Sequence, residues 1–241
     1  MQLSWMLIVH SGGASLAIPL AGLVALRLAY LGLWKRASYW LVSLVGGAAV
    51  ILAGKLAFEF NGWSMPSVNV YSVSGHAMLT ASVYPMLGAI LGSAWGRRTA
   101  RIGLSAGVLV AVLVAVALIV GHYHTLAETL IGMTVGLAVA WINLHPFCRP
   151  ARRPARRPAR QPVLPGRTPM LARVALCGFL LVFALAATRP VKGRLWSHGM
   201  DWFGVTERYS RYIDTDPVSG QIVVTVVKCR VPSYRVCSET F

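Results

Sequence analysis

Six stretches of this chain stay apolar for long enough to cross a lipid bilayer, at about Leu16–Leu33, Trp40–Phe60, Ala77–Trp95, Ile102–Gly121, Thr125–Leu144 and Leu171–Ala187. Crossing roughly 30 Å of hydrocarbon takes about 20 residues of helix. Backbone polar groups inside lipid need partners within the segment, so these runs are expected to be helices. The pattern predicts an all-α polytopic membrane bundle of about six transmembrane helices. Composition agrees, since 56% of the 241 residues are hydrophobic, 12% are charged and the mean hydropathy is +0.62. That is too apolar for a soluble domain of this size. Met1–His10 lacks a basic segment ahead of a short apolar core, so no cleaved signal peptide is expected and the first span stays.

The formal net charge is +16, which on its own would suit nucleic acid, but the placement of the charge argues otherwise. Lys35 and Arg36, then Arg97, Arg98 and Arg101, then the run from Arg149 to Arg173 fall at alternate ends of successive spans. The positive-inside rule places all three in the cytoplasm. The amino terminus, residues 61–76, residues 121–124 and the tail after Thr188 are then extracytoplasmic, and the expected setting is a bacterial inner (plasma) membrane. Residues 1–147 read as a membrane domain, 148–170 as a cytoplasmic Arg/Pro-rich loop, 171–187 as a sixth span and 188–241 as an outer tail. The loop's Pro/Ala/Arg repeat has no apolar face and is expected to be extended, solvated and in contact with anionic lipid. Membrane lipids are the expected partners, and nucleic acid is not.

Cys148 and Cys177 lie in or beside the inner half of the membrane with no metal spacing between them. Cys229 and Cys237 lie in the tail, where an oxidising compartment would allow a bridge. Arg211-Tyr212-Ile213 and Gln221–Val227 read as strands around a Pro217/Gly220 turn, with a further strand-like piece at Tyr234–Cys237. A small β appendage follows. Asp214-Thr215-Asp216 is no calcium loop, because Gly220 comes one position late and no glutamate closes twelve residues.

Acidic residues are scarce, and before the tail there are only Glu59 and Glu128. A carboxylate in a membrane protein needs a partner or a task. Glu59 follows Lys55 by four residues, so the two share a helical face and can pair, with Lys55 also able to meet an anion. Glu128 follows His124 by four, which sets a carboxylate one turn from an imidazole. A carboxylate holding one ring nitrogen fixes the tautomer and leaves the other basic and nucleophilic. Ser74-Gly75-His76 precedes the third span, where Ser74 can cap the helix and free N–H groups favour phosphate. His122 sits beside these at the same end.

These residues resemble the type 2 phosphatidic acid phosphatase superfamily, whose motifs run Lys-x6-Arg-Pro, Pro-Ser-Gly-His and Ser-Arg-x5-His-x3-Asp. Lys55 matches the first, with Gly62-Trp63 in place of Arg-Pro. Val73-Ser74-Gly75-His76 matches the second except for its proline. His124 and Glu128 match the third, with Ala117-Leu118 in place of Ser-Arg and glutamate for aspartate. The resemblance covers roughly Trp40 to Leu144. It implies a metal-free phosphatase of lipid phosphates or diphosphates that works through a phosphohistidine. His124 would be the nucleophile, Glu128 its orienter and His76 the acid and base. Lys55, His122 and the N–H groups around Ser74 and Gly75 would hold the phosphoryl oxygens. For the two absent arginines the sequence offers His122 and the cluster Arg189, Lys192 and Arg194. A non-catalytic relative that binds phospholipid or a protein partner is the main alternative. A proton or metal pathway is a further one, disfavoured because the polar residues gather at one end.

Overall fold

The computed structural model describes residues 8–148, 207–216 and 222–230. Five long helices follow one another: α1 (Ala14–Tyr30), α2 (Trp34–Asn61), α3 (Gly75–Ser93), α4 (Arg97–Val120) and α5 (Leu126–Cys148). Residues 8–11 are also helical and lead into α1. Four of the described helices are long and apolar enough to span a membrane, covering Ile8–Tyr30, Trp34–Asn61, Arg97–Val120 and Leu126–Leu144. Their outward faces carry Leu23, Val42, Val50, Leu109, Leu113 and Ile142, a surface that suits hydrocarbon and not water. The chain is an integral membrane protein.

The expected span at Ala77–Trp95 is a helix, though it is not among those four. α3 packs along α4 and α5 and also touches α1 and α2. Thr80 and Ser82 are fully buried in it, their hydroxyls bonded to carbonyls of their own helix. A helix shielded from lipid by its neighbours can carry polar residues, provided each is satisfied. The sixth expected span, Leu171–Ala187, lies outside the described residues, as do Arg149–Arg173, Arg189, Lys192 and Arg194.

Glycines bring α3 and α4 into backbone contact. A Cβ on Gly88 would stand 2.0 Å from the Gly103 carbonyl oxygen, and one on Gly107 would stand 2.3 Å from that of Tyr84. Small residues at a helix interface permit this approach, and in lipid such close packing is a principal source of association. Gly132 and Gly136 do the same for α5, against the Ser74 and Met78 carbonyls.

Alternation of direction sends the end of α2, the start of α3, the end of α4 and the start of α5 to one end of the bundle. Lys35, Arg36, Arg97, Arg98 and Arg101 mark the opposite end. The tail contributes strands β1 (Glu207–Thr215) and β2 (Ile222–Arg230), paired antiparallel with Arg211 opposite Val226. They extend well beyond the expected strand at 211–213. Tyr234–Cys237 and Cys237 itself fall outside the described residues. Cys229 is buried and disulfide-bonded. β1 packs on the far end of α2, at the same end as both histidine segments.

Candidate active site

Glu128 is the anchor of this end. It sits in the first turn of α5, wholly buried, and both carboxylate oxygens are used. Oε1 accepts the N–H groups of Tyr71 at 2.9 Å and Ser72 at 2.7 Å. Oε2 accepts the Thr125 N–H at 3.3 Å and lies 3.0 Å from His124 Nδ1. A buried charge is tolerated only when bonded in this way.

The loop before α3 is thereby tied to α5. Thr125 adds a second tie, donating its hydroxyl to the Asn69 carbonyl at 2.6 Å. Asn69 and His122 are the two non-glycine residues with positive φ among those described, at 54° and 58°. At His122 the left-handed turn ends α4. The N–H groups of Tyr123 and His124 both turn back to the Leu118 carbonyl, at 3.0 and 3.2 Å, which swings His124 toward Glu128.

Both expected contacts form, Lys55–Glu59 along α2 and His124–Glu128 with His124 in the turn that precedes α5 instead of on the helix. Lys55 Nζ is 3.7 Å from Glu59 Oε1. Each carboxylate also has a cation that the expectations above do not include. Arg208 Nη2 lies 2.6 Å from Glu59 Oε2, and Arg211 Nη2 lies 2.7 Å from Glu128 Oε2 and 2.9 Å from His124 Nδ1. Both arginines come from β1. Sequence proximity to the membrane points to Arg189, Lys192 and Arg194, whereas a β-strand far along the tail supplies the contacts described. The available signal was the acid count: two carboxylates in the bundle's polar end require cations, and the segment Arg208-Tyr209-Ser210-Arg211-Tyr212 offers two on a strand.

A cavity of about 400 Å³ opens between the bundle and β1. Lys55, Ser72, His122, His124, Arg208 and Arg211 are among its lining residues. Burial holds the His124 imidazole below the ordinary histidine pKa, and the Arg211 charge pushes the same way, against the opposing pull of Glu128. In the tautomer whose Nδ1–H is donated to Glu128, Nε2 has a free lone pair, and Arg211 Nη2 then stands near Nδ1 as a neighbouring charge with its hydrogens directed to Glu128 Oε2 and the Tyr123 carbonyl.

Ser74 caps α3 as expected, its hydroxyl accepting the Ala77 N–H at 3.3 Å. Its own N–H is directed at the Glu128 carbonyl oxygen, 3.4 Å away, and the residue is fully buried. The expectation of a free N–H at Ser74 therefore does not hold. Gly75 begins α3, and His76 follows with its Nε2 3.8 Å from where a Cβ on Gly13 would be, so its ring lies beside the entry to α1. Lys55, His122 and His124 line one cavity, Glu128 is buried behind His124, and Ser74, Gly75 and His76 are, like Glu128, not among its lining residues.

The two positions where the resemblance lacks arginine are both occupied structurally. Gly62 ends α2 in the left-handed conformation, with φ 68°. Leu118 is 1% exposed and packs with Val9, Ala77, Val114 and Ala117. Comparison with known protein families, with curated proteins and with solved structures finds no match for this chain.

Proposed function

We propose that this protein is a membrane phosphatase that hydrolyses a lipid phosphate or diphosphate through a phosphohistidine intermediate. The observation that carries the reading is the His124–Glu128 pair, held at 3.0 Å and opening on a cavity lined by cations at one end of a membrane bundle. A lipid anchored in the bilayer presents its headgroup at that level.

His124 Nε2 attacks phosphorus while the bond from phosphorus to the lipid oxygen breaks, and Glu128 accepts the Nδ1–H and steadies the imidazolium that forms. Water then attacks the phosphohistidine, releasing phosphate and the free ring. Proton delivery to the leaving oxygen is assigned to His76 by the resemblance alone. Lys55 and His122 meet the phosphoryl oxygens. The basic clusters at the opposite end favour a cytoplasmic location for that end. The disulfide at Cys229 supports an oxidising compartment for the hairpin, and with it an outer-face site.

Leu118, a core residue where the family has arginine, favours the second reading of a phospholipid-binding relative without catalysis. One assay separates them. The purified chain is incubated with phosphatidic acid, phosphatidylglycerol phosphate and an isoprenoid diphosphate side by side. Phosphate release that disappears in His124→Ala supports the enzyme, and release that survives the substitution removes His124 as nucleophile. Absence of release from every lipid moves the assignment to the binding role.

A further inference from the structure

We infer that the β1 strand of the tail is the anion-gathering half of this site, with Arg211 binding phosphoryl oxygens directly; this rests on the phosphatase reading for the identity of the substrate. The membrane helices and their connections bring one lysine, two histidines and the Glu59 carboxylate to the lining of the cavity, with the Glu128 carboxylate buried behind His124. β1 adds Arg208 and Arg211, so that three cations surround the cavity against two carboxylates, a balance that suits a phosphate only when the strand is docked.

Arg211 is the better placed of the two. All its described contacts, to Glu128, to His124 and to the Tyr123 carbonyl at 3.4 Å, use Nη2. A guanidinium carries five N–H donors in a planar fork, so Nε and Nη1 keep donors for an anion in the cavity that Arg211 lines. Arg211 lines the same cavity as His124, so an anion held there lies beside that ring. Arg208 acts from behind: it makes the shorter of the two contacts to Glu59, and Lys55 the looser one.

The positions of the missing arginines fit this division. A Cβ on Gly62 would come within 2.9 Å of the Tyr209 ring of β1, so a long cation there would have to displace that ring. Position 118 faces the core. Neither position supplies a cation, and β1 supplies them from the other side of the cavity.

Inorganic phosphate is the probe, titrated into the full-length chain and, where turnover exists, used as a competitive product inhibitor. The wild-type chain is expected to bind it. Arg211→Ala is expected to weaken binding about 10- to 100-fold, as loss of a charge-assisted hydrogen bond does. Millimolar guanidinium restores part of the loss, which a merely structural role would not allow. Arg211→Lys keeps a charge near Glu128 and decides the matter if the alanine variant does not fold; it is expected to fall between the two. Phosphate affinity within about twofold of wild type in the folded variants overturns the proposal, as does a wild-type chain that binds no phosphate. Phosphate binding that depends on Arg211 without turnover of any lipid leaves the proposal standing and removes the enzymatic reading instead.

Discussion

Tyr209 of β1 lies over Gly62 at the end of α2, so close that a Cβ on the glycine would be 2.9 Å from the ring. One residue serves two purposes there. Its φ of 68° ends α2 in a conformation that costs an L-residue roughly 1–2 kcal/mol, and its missing side chain makes room for the hairpin. Gly62→Ala should therefore lower thermal stability by at least that amount and loosen the hairpin. Hydrogen exchange of the β1 amides is the measurement: faster exchange in β1 with α3 unchanged is expected, and unchanged β1 protection would refute the docking role of Gly62.

His124 titrates below the ordinary histidine value of about 6.5, first because it is buried and then because Arg211 stands beside it. Activity that needs the neutral ring rises with pH through that lowered value, so the acid limb of the pH–rate profile should have its midpoint below about 6.5. The same shift affects folding. The unfolded chain takes up its proton near 6.5 and the folded one only at lower pH, so this histidine's contribution to stability is intact above about 6.5 and is lost as pH falls toward the folded value. Arg211→Lys retains the charge and should leave the midpoint near its wild-type position, whereas Arg211→Ala should move it upward. A downward move would contradict the electrostatic account.

Glu128 holds the 71–72 loop, His124 and Arg211 at once, which makes its removal different from that of a surface acid. Glu128→Ala leaves buried N–H groups and a guanidinium without their acceptor. Breaking a buried ion pair from one side costs about 3–5 kcal/mol. The expected result is a fall in melting temperature together with loss of turnover, while His124→Ala loses turnover with a much smaller fall. Equal stabilities for the two variants would show that Glu128 only orients the ring.

Much of this arrangement was legible from spacing. Lys55 and Glu59 are an i, i+4 pair on α2 whose contact helix geometry predicts locally, whereas His124 lies in the turn before α5 and meets Glu128 because that turn folds back on the Leu118 carbonyl. Ser74 as an N-cap is local as well. The acid count calls for two cations but does not pair Arg208 and Arg211 with their partners, which lie 149 and 83 positions earlier, because no periodicity links a strand to the helix ends it covers. α3 shows the converse: Thr80 and Ser82 are buried within it, and its place among α1, α2, α4 and α5 explains why they are tolerated there. Ser74 was misread in part, since helix-start logic frees its N–H and the tertiary fold turns it toward α5.

The glycine contact between α3 and α4 gives a stability test independent of chemistry. A Cβ on Gly103 would stand 2.1 Å from the Gly88 carbonyl oxygen, and backbone cannot yield as a side chain can, so the helices must part. Gly46, on the exposed face of α2, has nothing within 4 Å of its Cβ position. Alanine at Gly103 should cost about 1–3 kcal/mol through overpacking. Alanine at Gly46 should be neutral or stabilising by up to about 1 kcal/mol, because it only raises helix propensity. Thermal unfolding of both variants in the same detergent provides the comparison. Since α3 carries the Ser74 cap that the Glu128 carbonyl faces, parting α3 from α4 should also disturb the site, and Gly103→Ala should lose turnover that Gly46→Ala retains. Two variants that melt together would mean that the close approach of α3 and α4 contributes nothing to holding this end of the bundle in place.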